Sequence, residues 1–142
     1  MPDASSAAER AELHHEELAL FLAVHLGRLP AMLWAEHDHP ALRPDAAPAE
    51  LARFAEELSR RTGLSARTAH GGPARGGTAV AHLLVHQIAG GGDWRLEPPP
   101  STPRTRPIHC RLRLGEVLYL APHWSWTAHL TPTARFLLTA LS

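Results

Sequence analysis

Histidine is the residue type in this chain with the most evident capacity for chemistry, with 11 copies among 142 residues. His37, Asp38 and His39 form the tightest local cluster, and two imidazoles with an intervening carboxylate are able to chelate a metal ion from a loop or strand. A solvated loop is the alternative, because Pro40 follows in a polar stretch. The cluster is therefore a candidate metal site.

For two histidine pairs, the secondary-structure element that carries them decides whether both side chains lie on the same face. His82 and His86 are four residues apart and would share a face on a helix. On a strand they lie about 13 Å apart, which is too far to share an ion. The surrounding apolar residues favour a strand, so we expect both to face outward. His14 and His15 are adjacent in a predicted helix, where neighbours point to different faces, and we expect them at the surface.

Other residues form no established catalytic motif. The sequence has no convincing Ser-His-Asp order, no P-loop and no GxGxxG motif. Cys110 is the single cysteine, so it cannot form an intrachain disulfide, and in a predicted strand it acts as a small hydrophobic residue. This usage suits a reducing compartment, and we expect a cytoplasmic protein.

Composition argues against several partners. The formal net charge is zero, which disfavours nucleic acid or an anionic membrane held by bulk charge. No apolar run has the length of a membrane span, and the polar stretch from Met1 to Arg10 lacks the apolar core of a signal peptide. All 14 basic residues are arginine and asparagine is absent, which indicates a GC-rich bacterial genome.

The elements that must position these residues change character along the chain. Helices are predicted in residues 1–64. The second of them begins at Pro48 and ends before Gly63, in agreement with proline and glycine preferences at helix ends. An apolar stripe predicts the first helix and is formed by Leu13, Leu18, Phe21, Leu22 and Val24.

Residues 65–142 carry short apolar segments separated by glycine and proline, which predicts a β-sandwich or barrel. The predicted strands are Thr78–Ala89, Trp94–Glu97, Ile108–Leu114, Glu116–Leu120, Trp124–Leu130 and Phe136–Leu141.

Two segments resemble one protein family. The stretch VHQIAGGGDWRLEPP, from Val85 to Pro99, resembles the central hairpin of JmjC-type and related cupin hydroxylases. The stretch LGEVLYLAPHWSW, from Leu114 to Trp126, is similar to the family's Gly-Asp-Val-Leu-Tyr segment and its Trp-rich turn. The tail from Thr133 to Leu141 is similar to the closing barrel strand.

The resemblance implies an α+β fold in which N-terminal helices pack on a double-stranded β-helix barrel. Residues 1–64 form the helical segment and residues 65–142 the barrel core of one compact domain. Larger relatives often dimerise through C-terminal helices. This chain stops at the last barrel strand, so we expect that dimerisation region to be absent.

The family's chemistry uses a His-x-Asp and a distal His to hold Fe(II), with open positions for 2-oxoglutarate and oxygen. Matching the motifs places these ligands at Gly77, Ala79 and Trp126, none of which offers a lone pair to a metal. Asp93 stands where the family's hairpin turn often carries a basic residue for the co-substrate. The resemblance thus implies a degenerate iron site.

Three functions follow from these departures. The leading hypothesis is a pseudoenzyme without a cofactor, which binds a peptide, a small ligand or a partner subunit, and whose pocket is lined by Gln87, Trp124 and Trp126. The alternative is a working Fe(II)/2-oxoglutarate oxygenase of a peptide or natural product with a rearranged site. Its fallback ligands are His70, His109, His123 and His129. A purely structural module is the third.

Overall fold

Two helices open the chain in the computed structural model, which describes residues 4–71 and 75–142. Helix α1 spans Ala4–His25 and helix α2 spans Pro48–Thr62. The predicted limits of α2 are confirmed, because Pro48 occupies its first turn and Gly63 adopts a left-handed φ of 74° just after it. The N–H of Gly63 donates to the Ser59 carbonyl at 2.9 Å and closes the helix.

Nine strands in the described residues form two antiparallel sheets. Sheet A has the order β1-β7-β4-β9-β2, and sheet B has the order β3-β8-β5-β6. The two face each other, so the predicted α+β class with a two-sheet barrel is confirmed. The strands are β1 (Ala31–Trp34), β2 (Ala66–His70), β3 (Gly76–Thr78), β4 (His82–Ala89), β5 (Gly92–Glu97), β6 (Ile108–Leu112), β7 (Glu116–Leu120), β8 (Ser125–Leu130) and β9 (Arg135–Leu141).

The helices cover the outer face of sheet A. Phe54 and Leu58 of α2 and Leu18 of α1 are buried in the same core cluster as the sheet residues. Tyr119 of β7 ties the end of α1 to this face, because its hydroxyl accepts a hydrogen bond from the N–H of Gly27 at 2.7 Å. The two helices therefore cover the outer face of sheet A and share one continuous core cluster with the barrel strands.

Three predicted elements differ from the structure. The single strand expected over Thr78–Ala89 is broken, because β3 joins sheet B and β4 joins sheet A. Strand β2 lies in a segment for which no strand was predicted. In α1, Leu13 and Val24 of the predicted apolar stripe are exposed. None of the helices in the described ranges combines the length and apolarity that crossing a membrane requires.

Candidate functional site

Three aromatic rings occupy the interior of the barrel. Trp94 of β5, Trp126 of β8 and Phe136 of β9 are buried and meet between the two sheets. The ring centres of Trp94 and Trp126 are 5.0 Å apart, and Phe136 stands nearly perpendicular to both, at 5.3 and 6.0 Å. These separations are typical of packed aromatic clusters. The chain's own side chains thus fill this part of the barrel.

The positions that match the family's iron ligands lie beside this cluster. Gly77 is the antiparallel partner of Trp126, and a Cβ at Gly77 would lie 3.2 Å from the indole Nε1. Ala79 is buried, and its backbone pairs with the loop before β8 through Trp124 and His123. No metal-ligating atom is present at any of the three positions.

The four fallback histidines lie apart from the barrel interior. His70 ends β2, His109 lies on β6, His123 lies in the loop before β8, and His129 lies on β8. All four side chains are exposed. The structure therefore does not bring them together at the predicted iron position.

One group of three potential ligands lies on the helical side of the molecule. Within the described ranges, the only set with ligand atoms within 4.8 Å of one another is Glu17, Glu36 and His37. The carboxylate of Glu17 accepts hydrogen bonds from the backbone N–H of Glu36 at 2.6 Å and of His37 at 3.1 Å. It also contacts the His37 ring at 2.7 Å. Both carboxylate oxygens thus hold the turn after β1, which is a structural role.

This turn carries the predicted His37-Asp38-His39 cluster, and the structure divides its members. His37 faces Glu17, whereas His39 packs against His15 with ring centres 4.9 Å apart. Asp38 is exposed. The three residues therefore do not chelate one ion as a local motif.

A buried cluster of imidazoles lies between the helices and sheet A. It consists of His14, His15, His39 and His86 arranged around Phe54, and we call it the histidine layer. The ring centre of Phe54 lies 5.0 to 6.3 Å from those of the four histidines. The His14 ring neighbours all three other histidines, with distances of 5.8 to 6.4 Å between its centre and theirs. Four polar rings are thus packed where a protein usually places apolar side chains.

Hydrogen bonding fixes the tautomer of His14. Its Nδ1 lies 2.8 Å from the backbone carbonyl of His37, which accepts only, so Nδ1 carries the proton. The lone pair is therefore on Nε2, which is buried and has no hydrogen-bond partner among the described residues. Both ring nitrogens of His86 are likewise buried without a partner, as is Nδ1 of His15.

Burial keeps the layer uncharged at neutral pH. It lowers the pKa of His14, and it lowers that of His86 well below the ordinary value. It lowers the pKa of His15 to about 4 and that of His39 to about 3, with neighbouring histidines adding to both shifts. A protonated ring in this layer would be cut off from water and would lie beside other imidazoles, and both effects disfavour the charged form. Neutral rings present lone pairs, which is the form that binds metals.

A cavity of about 170 Å³ opens beside the layer. It combines imidazole rings with two carboxylates at its wall. Its lining residues are His14, Asp38, His39, Leu42, His86, Gln87, Ile88, Leu114, Gly115 and Glu116.

Comparison with solved structures gives similar folds at low sequence identity. The Escherichia coli ribosomal oxygenase YcfD superposes with a TM-score of 0.60 at 14% identity, covering 86% of this chain and 50% of that one. YcfD in complex with cobalt and succinic acid gives 0.57 at 14% identity, covering 88% and 51%. YcfD with cobalt and 2-oxoglutarate gives 0.55 at 15% identity, with the same coverage. No family model and no curated protein sequence matches.

The fold is that of the cupin/JmjC-like oxygenases. At these identities the comparison establishes the fold alone, and the chain spans about half the length of YcfD. The two resembling segments form the β4–β5 and β7–β8 connections. The hairpin expected at the first of them is wrong, because β4 lies in sheet A and β5 in sheet B, and the Gly90–Gly91 turn carries the chain from one sheet to the other.

The expectation of no cofactor is contradicted by these cupin-fold neighbours. Two of the YcfD structures hold cobalt, one with succinic acid and one with 2-oxoglutarate, so metal and co-substrate binding do occur on this fold. The residues that the sequence resemblance aligns with the iron ligands, Gly77, Ala79 and Trp126, supply no ligand atom, and a Cβ at Gly77 would lie 3.2 Å from the Trp126 indole. Asp93, which the resemblance aligns with the family's basic turn residue, is exposed and pairs with Arg111 at 3.4 Å.

The predicted pocket residues occupy two different places. Gln87 contributes to the wall of the cavity beside the histidine layer. Its side-chain Nε2 donates to the carbonyls of Ala89 and Arg135. Trp124 and Trp126 are buried in the core. The pocket predicted from the resemblance stays a prediction.

Sequence reasoning missed the histidine layer. His14 and His15 were expected at the surface, and this was wrong, since they are 2% and 3% exposed. His86 faces out of the barrel, as strand alternation predicts, but the helices cover that face. The usable sequence signal was spacing, because His14 and His15 precede Leu18 of the apolar stripe by four and three residues and therefore share its helix face.

Proposed function

We propose that this chain is a non-catalytic binding protein that uses the cupin/JmjC-like scaffold to hold a protein or peptide partner. The observation that supports the proposal is the contact between Trp126 and Gly77, because the sequence resemblance aligns both residues with positions that carry metal ligands in the oxygenases. Trp94 packs against Trp126 and Phe136, and the three rings together fill this part of the barrel interior. The proposal concerns chemistry inside the barrel and leaves metal binding elsewhere open.

The free edge of sheet A offers a surface for the partner. Strand β1 is the first in its sheet, so one side of its backbone is unpaired among the described strands. Trp34 on this strand is 78% exposed, and Leu114 beside it is also exposed. Exposed strand edges accept an extended peptide through backbone hydrogen bonds.

The groove next to this edge favours an acidic peptide. It is lined by Trp34, Arg111, Arg113, Leu114 and Glu116. Arg111 is already paired with Asp93, so the ion pair with an acidic side chain of an extended peptide falls to Arg113, and Trp34 supplies aromatic contact. A random peptide display selected on the wild-type protein should therefore enrich acidic extended sequences.

Turnover of 2-oxoglutarate tests the proposal directly. Protein without a histidine tag is mixed anaerobically with Fe(II) and 2-oxoglutarate, and the visible charge-transfer band of the chelated iron is recorded. We expect no succinate formation on addition of oxygen, whether or not iron is bound. Succinate formation by the wild-type protein would replace the proposal with the rearranged oxygenase.

Two variants make the test specific. The triple change Gly77→His, Ala79→Asp and Trp126→His restores the family's donor types at the matched positions and serves as the barrel-site comparison. The pair Trp34→Ala and Arg113→Glu should abolish binding of the selected peptides while leaving the circular dichroism spectrum unchanged. Peptides that bind this pair as tightly as the wild type would contradict the β1 edge as the docking site.

A further inference from the structure

The histidine layer has the features of a ligand site that is separate from the barrel. His86 lies on the face of β4 that packs against Phe54 and His14, while its neighbour Val85 belongs to the core within the barrel. His14 and His86 are each 2% exposed and present unpartnered nitrogens. Burying such atoms is costly unless something satisfies them, so a native protein that keeps them calls for an explanation.

The hydrogen bond of His14 matches the usual arrangement of a metal ligand. A ligating imidazole almost always donates its other N–H to a carbonyl or carboxylate, which fixes the tautomer and the ring orientation. His14 does this through Nδ1 to the carbonyl of His37, at 2.8 Å. The Glu17 carboxylate in turn holds the backbone N–H of His37. The lone pair of His14 Nε2 is thus oriented by two successive contacts.

We propose that the cavity between α1, β4 and the turn after β1 binds a divalent late first-row transition-metal ion, with His14 Nε2 and one nitrogen of His86 as imidazole ligands and Asp38 as a carboxylate ligand. All three residues line the cavity. The Asp38 carboxylate lies over Gly115, another wall residue, whose ideal Cβ is 3.9 Å from Oδ1. Imidazole nitrogen is the donor that suits Zn²⁺, Ni²⁺ and Cu²⁺.

In the metal-free chain the ligand atoms of His14, His86 and Asp38 do not all lie within 4.8 Å of one another, so the side chains must move to bind an ion. Two imidazoles on one tetrahedral ion have ring centres about 5 Å apart, given nitrogen–metal distances near 2.0–2.1 Å. The ring centres of His14 and His86 are 5.9 Å apart. Ligation therefore requires the rings to approach by about 1 Å, with rotation of His86. A metal cation accepts lone pairs from several ring nitrogens at once. A small organic molecule in the cavity would need hydrogen-bond donors on opposite sides to do the same.

His39 is excluded from the ligand set by its own hydrogen bond. Its Nδ1 accepts from the N–H of Ala41 at 3.0 Å, so the proton of the neutral ring is on Nε2, which then has no lone pair. His39 therefore closes the cavity and packs on Phe54. This separates its role from those of His14 and His86.

Cobalt titration tests the site. Tag-free protein treated with EDTA is titrated with Co²⁺, and the d–d absorption is followed. Zn²⁺ binding is measured by calorimetry. We expect one equivalent with nitrogen-ligated cobalt, and no change in the spectrum when 2-oxoglutarate is added, because the site is outside the barrel. His14→Gln and His86→Gln should each weaken binding at least about tenfold, the scale on which even supporting residues act.

Matched controls locate the ion. His109→Gln and His129→Gln change exposed histidines on β6 and β8 and should leave binding unchanged. Glu17→Gln tests the competing group with Glu36 and His37. Loss of binding in Glu17→Gln with full binding in His86→Gln would overturn the proposal, as would absence of any stoichiometric Co²⁺ absorption.

X-ray absorption on the wild-type protein keeps the test independent of how the variants fold. The Zn²⁺-loaded chain should give scattering from at least two imidazole rings. A first shell of oxygen alone, or of a single imidazole, would contradict the assignment. Because the site lies outside the barrel interior, it stands or fails separately from the proposed binding function, for which the readout is succinate formation.

Discussion

The imidazole rings of His14 and His86 face each other across the boundary between α1 and sheet A, with centres 5.9 Å apart and three unpartnered nitrogens between them. A helix and a strand that are distant in sequence have thus brought two neutral bases together in a buried layer of the protein. Such an arrangement lowers stability and is typical of sites where function opposes it.

Replacing His86 by leucine should stabilise the metal-free protein. The change removes two buried nitrogens that have no partner and keeps a side chain of similar volume, so the free energy of unfolding should rise by about 1–2 kcal/mol. Urea denaturation in EDTA at pH 7.5 measures this. His82→Leu is the control, because it loses a hydrogen bond to the Tyr119 hydroxyl and should destabilise. A less stable His86→Leu protein would show that these nitrogens are satisfied in solution.

Gly77→His should destabilise the barrel by about 1–3 kcal/mol, because a Cβ at this position already crowds the Trp126 indole. The penalty should fall when Trp126 is also changed to alanine, which frees the space. A double-mutant cycle measures the coupling between the two positions, which we expect to exceed about 0.5 kcal/mol. Strictly additive effects would mean that the two residues are not in contact.

Cys110 should be a slow nucleophile. Burial, with the nearby Glu116 carboxylate, raises the pKa of its thiol to about 11. The thiolate is the reactive form, and at pH 8 only about one Cys110 thiol in a thousand is ionised. Alkylation by iodoacetamide should be slow at pH 8 and should accelerate about tenfold per pH unit up to pH 10, since the thiol ionises as the pH approaches its pKa. The urea-unfolded chain supplies the ordinary rate, and equal rates in both states would contradict the burial of this thiol.

Tyr119→Phe should loosen the attachment of α1 to sheet A. The hydroxyl accepts from the N–H of Gly27 and is hydrogen-bonded to Nδ1 of His82, both at 2.7 Å. Removing it should lower the free energy of unfolding by about 1–2 kcal/mol. Hydrogen exchange should show faster opening of the amides at the end of α1. His82→Ala removes one of the two contacts and should lower the free energy of unfolding by less. A larger loss would mean that the Tyr119 hydroxyl is not the main attachment of α1.

The sequence predicts those elements whose local signals agree with one another. Helix α2 is an example, because Pro48, the buried spacing of Leu51, Phe54 and Leu58, and Gly63 all point to the same limits. The break between β3 and β4 has no such signal. The apolar run through Ala79 continues across it, and only the pairing of Gly77 with Trp126 and of Leu83 with Leu120 assigns the two halves to different sheets.

The histidine layer is harder still to predict, because its members come from three distant segments. Helix periodicity assigns His14 to a face only by reference to apolar neighbours, and the face that packs is decided by the partner surface. Strand alternation correctly turns His86 away from the barrel interior, but it does not say that helices cover that side. A metal motif in sequence usually relies on short spacing, whereas here the spacing between His14 and His86 is set by tertiary structure alone.

The contact between Gly77 and Trp126 also restricts the order in which substitutions are able to accumulate at this place. While the indole is present, any side chain at position 77 is met by ring atoms at 3.2–3.3 Å. A lineage starting from this sequence could acquire a histidine at position 77 without penalty only after position 126 had become smaller. The two positions are thus epistatic, and a histidine introduced at position 77 alone is unfavourable as long as Trp126 is present.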